Sequence, residues 1–96
     1  MSMEDVRLLE EKHVMHILDF IGRNPDCMKT EIYDAVSHNP RMPDKLRKLE
    51  DAGLIIPKGT DNCTRYTLTD DGTHIRNLIM QISEVFSNNR TSRTVI

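Results

Sequence analysis

The chain has 96 residues, 38% of them hydrophobic and 29% charged, with a net charge of −2 and two cysteines. That composition fits one small globular domain and excludes a disulfide-built scaffold, a disordered polyelectrolyte and a second independent core. No apolar run approaches the roughly 20 residues that cross a bilayer, and Met1-Ser2-Met3-Glu4-Asp5 lacks the basic and apolar regions of a signal peptide, so the expected location is cytoplasmic, with no membrane partner.

The first predicted element is a long helix. Ser2 supplies a capping hydroxyl with Asp5 three positions on, and Val6, Leu9, Val14, Ile17, Leu18 and Ile21 form an apolar stripe that continues to Arg23. Asn24-Pro25-Asp26 ends it, because the residue before a proline is pushed out of the helical region. Cys27-Met28 is short enough for a minimal strand. Thr30 then caps a second helix reaching about Ser37, with Ile32, Ala35 and Val36 turned inward.

After the Ser37-His38-Asn39-Pro40 turn, a third helix begins near Arg41 or Met42, since Pro43 is tolerated only in a first turn, where its missing N–H has no partner to lose. Met42, Leu46, Leu49 and Ala52 repeat at helical spacing and predict a buried stripe. Arg41, Asp44, Lys45, Arg47, Lys48 and Asp51 fall on the remaining surface, so this helix has a basic outer face in a chain that is acidic elsewhere. Gly53 follows the stripe, where a left-handed cap needs no Cβ.

Residues 54–58 and 63–68 read as two strands joined by Gly59-Thr60-Asp61-Asn62, with Pro57 assigning the first of them to a sheet edge. Thr69 and the carboxylates Asp70 and Asp71 start a last helix that ends near Asn88. Its apolar residues Ile75, Leu78, Ile79, Ile82, Val85 and Phe86 make a stripe too wide to leave in water. The domain is expected over residues 1–88, with a flexible tail over 89–96 that lacks periodicity.

Catalytic patterns are missing: there is no nucleophile elbow, phosphate-cradling glycine loop or His-Glu-x-x-His pair, and the chain is read as a non-enzyme. Cys27 and Cys63 have no C-x-x-C spacing and are read as ordinary thiols. His13 and His16 share a helix face without further ligands, so no metal or other cofactor is expected.

Helix, helix, basic helix, hairpin, helix is the order of a winged helix-turn-helix, and the segments TEIYDAV, KLRKLEDAGLI and RYTLTDDG resemble those of MarR- and ArsR-type repressors and small archaeal regulators. The likeness covers residues 14–88. It implies an α+β, mainly α fold: a winged helix-turn-helix with a two-stranded wing and long N- and C-terminal helices. It also implies a third helix in the major groove of double-stranded DNA and a wing on adjacent backbone. Carried onto this sequence, the DNA-binding residues are Lys29 and Thr30 at the second helix, Arg41, Asp44, Lys45 and Lys48 on the third, and Lys58, Thr60, Asn62 and Arg65 in the wing. Pro40, Pro43 and Asp44 stand where the family has small hydroxyl residues at the entrance to the third helix.

A homodimer through the terminal helices would cover the last stripe, using Val6, Leu9, Ile75, Leu78, Ile79, Ile82, Val85 and Phe86. The resulting expectation is a sequence-selective transcriptional regulator acting as a repressor. The alternative is a winged-helix module for protein interaction, without specific DNA binding.

Overall fold

The computed structural model describes residues 6–60 and 63–93, apart from the side chains of 90–93. Ser2 and Asp5, Asn62 at the wing tip and the end of the expected tail therefore lie outside the described residues. After a 3-10 turn over Arg7–Glu10 come α1 (Val14–Arg23), β1 (Cys27–Met28), α2 (Lys29–Ala35), α3 (Met42–Asp51), β2 (Ile55–Thr60), β3 (Cys63–Leu68) and α4 (Asp70–Arg93).

The expected first helix is two pieces. Glu11 is extended and His13 is left-handed at φ 73°, so Arg7–Glu10 turns away from the axis of α1. None of Glu11, Lys12 or His13 is a strong helix breaker, and the break is a tertiary effect: it folds the half-buried Leu8 and Leu9 against the core, where a straight helix would carry them past it.

The start of α2 also differs from expectation. Met28, not Thr30, precedes its first turn, and the Met28 N–H donates to the Glu31 carboxylate at 2.9 Å in the manner of a capping box. The helix stops at Ala35, which is exposed rather than inward-facing. Helix α3 begins at Met42 with Pro43 in its first turn, as the proline rule requires. Ala52 departs from the expected stripe and is exposed, because the helix has already ended at Asp51. Gly53 takes the left-handed conformation, φ 76°.

The sheet has three antiparallel strands in the order β1-β3-β2. The hairpin register pairs Ile55 with Leu68 and Lys58 with Arg65, while Cys27 of β1 lies opposite Tyr66. Pro57 sits on the edge strand β2, where a missing N–H leaves no central ladder unpaired. Thr69 joins the hairpin to the last helix: its hydroxyl donates to the Gly53 carbonyl at 2.7 Å and accepts from the Gly72 N–H at 2.9 Å. A side chain at Gly72 would run into the Leu54 carbonyl, so α4 can start this close to the wing only with glycine there.

Val14, Ile17, Leu18 and Ile21 of α1 meet Ile32 of α2 and Met42, Leu46 and Leu49 of α3 in one core, all at 1% exposure or less. Burying each such side chain favours folding by roughly 1.5–3 kcal/mol. Arg76 ties α4 to this body by donating to Asp19 on α1 at 3.1 and 3.3 Å, packed beside Gly22. Beyond that clamp α4 runs outward to Arg93, past the expected end at Asn88, and the long dimension of the molecule reaches 55 Å.

Candidate nucleic-acid interface

The entrance to α3, where Pro40, Pro43 and Asp44 stand, is organised by short side chains. The Ser37 hydroxyl accepts the Asn39 N–H at 3.0 Å, and the Asn39 side-chain oxygen accepts the Arg41 N–H at 2.8 Å. The Asn39 carbonyl then accepts the Met42 N–H at 3.0 Å, and that of Arg41 takes those of Asp44 and Lys45. The donors left over in a first turn are thus held within the turn, and the two prolines remove none that this arrangement uses.

The buried stripe Met42, Leu46, Leu49 sets which residues of α3 remain outside: Arg41, Asp44, Arg47 and Lys48 are exposed. Lys45 is not. It is 9% exposed, against the expectation that it lies on the outer face, because one turn of helix separates it from both Met42 and Leu49 and its stem is drawn into the same packing. The His13 pKa is lowered by desolvation, then by the neighbouring charges of Lys12, Lys45 and His16.

Lys48 is exposed but engaged. Its ammonium lies 3.0 and 3.2 Å from the two carboxylate oxygens of Glu11 and 3.9 Å from Asp44. The Glu11 hydrogen bond and then the Glu11 charge push the Lys48 pKa up. Arg41 and Arg47 form no ion pair among the described residues, leaving them as the unneutralised cations of this face. Arg47, which is not among the residues that the resemblance assigns to DNA, is exposed on this basic side as its place in the sequence predicts.

In the wing, Lys58, Thr60 and Arg65 are exposed, and the register sets Lys58 directly across from Arg65. Arg65 donates to the backbone carbonyl of Asp26 at 3.0 Å, and Asp26 holds a left-handed φ of 60°. With Asp26, Gly59 and Cys63 these residues line an open groove of about 510 Å³. Met28 pairs with Arg65, so the half-buried Lys29 and exposed Thr30 at the first turn of α2 follow directly from the base of the wing. The sheet pairs Arg65 with both Lys58 and Met28, the residue before Lys29 and Thr30, while Arg41 and Lys48 stand on a separate element.

The expected dimer residues divide. Ile75 and Ile79 pack against the chain's own core, whereas Leu78 is 45% exposed, Ile82 and Val85 58%, and Phe86 61%. Leu9 is half-buried and Val6 exposed. Val6, Leu8, Leu9, Leu54, Leu78 and Ile82 border an apolar groove of about 570 Å³ between the 3-10 turn and α4.

Cys27 is buried against the Tyr66 carbonyl, and desolvation followed by the Glu31 charge raises its thiol pKa; Cys63 is exposed. Among the described residues no group of three His, Cys, Asp or Glu side chains is placed to hold a metal ion, and no helix is long and apolar enough to cross a membrane.

No family model and no curated protein matches the chain. Solved structures do. Streptococcus pneumoniae FabT in complex with DNA has a TM-score of 0.73 at 21% identity, covering 94% of this chain and 70% of its own. A possible HxlR family transcriptional factor from Thermoplasma volcanium has a TM-score of 0.73 at 23% identity, covering 95% and 84%. The Staphylococcus aureus MepR–DNA complex has a TM-score of 0.71 at 17% identity, covering 92% and 79%. The fold is the winged helix of these regulators.

Proposed function

We propose that this chain is a sequence-selective double-stranded DNA-binding transcriptional regulator that works as a homodimer and represses by occupying its site. The observation that carries the reading is the exposed, partly unneutralised cationic face of α3, with Arg41 and Arg47 mounted on a rigid buried stripe. Arginine can read guanine through two parallel hydrogen bonds, while Lys48, Lys58 and Arg65 suit phosphate. Two of the similar structures are described as DNA complexes, which supports the same use of the fold here. Repression needs only occlusion of a site by the bound protein, and the reading requires neither an enzyme centre nor a cofactor.

The dimer reading rests on the bare part of α4. Leu78, Ile82, Val85 and Phe86 continue the groove of Val6 and Leu9 outward, and a second copy related by a two-fold axis would bring an identical apolar surface to meet them. Such a pair would set two α3 helices about 34 Å apart, one turn of duplex, and favour a partly palindromic site.

Selection of bound duplexes from a random pool, followed by salt titration of the winner against random competitor, tests the whole reading. The expected result is a recovered motif with two-fold symmetry and affinity that falls steeply with salt. Absence of duplex binding at low salt would favour a protein-interaction module instead.

A further inference from the structure

The break ahead of α1 has a consequence for α3. Glu11 is held at the bend by its own backbone, its N–H donating to the Leu8 carbonyl at 3.2 Å and its carbonyl accepting from Val14 at 3.2 Å. That bend delivers the Glu11 carboxylate across 37 residues of sequence to Lys48, which both its oxygens contact. Glu11 is one-third exposed and Lys48 nearly half, so the pair sits at the surface where a duplex backbone can reach the lysine.

A phosphate approaching Lys48 meets one of two costs. Either the Glu11 contacts are released, or a phosphate and a carboxylate share one ammonium at close range and repel. We propose that Glu11 is an intramolecular competitor for phosphate, occupying Lys48 in the free protein and lowering the affinity of α3 for the DNA backbone. This rests on the DNA-binding reading of α3 and adds a residue, outside the basic segments, that sets the strength of binding.

The test uses the full chain as wild type, E11Q, K48Q, the double variant E11Q/K48Q and the control E10Q, whose exposed Glu10 forms no ion pair among the described residues. Binding to a labelled random-sequence duplex is measured over a salt series, and the Lys48 amine is titrated by NMR. E11Q should bind roughly three- to fivefold more tightly at low salt, the size of a surface ion pair. Its plot of log affinity against log salt should steepen by up to about 0.9, one added phosphate contact. The gain should vanish in the K48Q background, be small in E10Q, and accompany a lower Lys48 pKa. Unchanged or weaker binding by E11Q overturns the proposal, as does an equal gain in E10Q or in the K48Q background. If no variant binds duplex while the Lys48 titration still falls in E11Q, the ion pair stands but the DNA reading fails and the competition fails with it.

Discussion

Helices α3 and α4 both carry apolar residues at three- and four-residue intervals, yet they end in opposite environments. In α3, Met42, Leu46 and Leu49 are at most 1% exposed, enclosed by α1 and α2. In α4, Ile75 and Ile79 are only partly buried against that core, and Leu78, Ile82, Val85 and Phe86 stand in solvent. An apolar stripe states that a surface favours cover; whether the chain itself supplies the cover depends on where neighbouring elements stop. The bundle of α1, α2 and α3 is closed around its core, and α4 outruns it.

The sharpest way to break this contrast is to make the bare stripe polar. The double substitution I82E/F86E should turn a dimer into a monomer, read by light scattering over a dilution series, with helical circular dichroism retained. A wild-type chain that is monomeric at high concentration would remove the dimer altogether. The contrast should also appear in stability. Leu46→Ala should cost about 2–5 kcal/mol in chemical denaturation, whereas Ile82→Ala, measured where the protein is monomeric, should stay within about 0.5 kcal/mol. Equal losses would mean that α4 is covered after all.

A third test probes the closed side through pH. Desolvation, then the charges of Glu50 and Tyr33, push the hydroxyl of the buried Tyr66 up to about 12 from an ordinary value of 10. The folded protein holds that proton more tightly than the unfolded chain. Its contribution is therefore complete below about pH 10 and is lost as pH rises toward about 12. Denaturation midpoints should fall over this window together with the appearance of tyrosinate absorbance, and a midpoint independent of pH there would contradict the burial.

Effects smaller than that of Leu46→Ala are expected at two of the left-handed residues, Gly53 and His13. Gly53→Ala meets no atom within 4 Å, so its cost is backbone alone, about 1–2 kcal/mol. His13→Gly relieves the same conformation at φ 73° and should be neutral or stabilising by up to about 1 kcal/mol in thermal or chemical unfolding. A clear loss at His13 would show that its side chain, rather than the bend, matters to the packing.

Much of the molecule was legible from local chemistry. The position of Pro43 announced the start of α3, Gly53 its end, and Pro57 an edge strand, because each residue restricts its own backbone whatever surrounds it. The core face of α1 followed from spacing in the same way. The candidate interface was legible only in part: Arg41, Lys48, Lys58, Thr60 and Arg65 are exposed as their positions suggest, but the burial of Lys45 and the engagement of Lys48 were not visible.

The engagement of Lys48 has its physical origin outside α3. Residues 11–13 have no intrinsic reason to leave a helix, and they do so because Leu8 and Leu9 gain burial against the folded body. The bend then places Glu11 over Lys48, a contact between residues too distant in sequence for any local pattern to announce. Sequence alone was sufficient for the order of elements from α1 onward and the basic character of α3, since these follow from backbone preference and periodicity, while the winged-helix class rested on the resemblance to known regulators. Which charges remain free, and where the apolar stripe of α4 runs out of cover, depend on how separate elements pack, and only the assembled fold settles them.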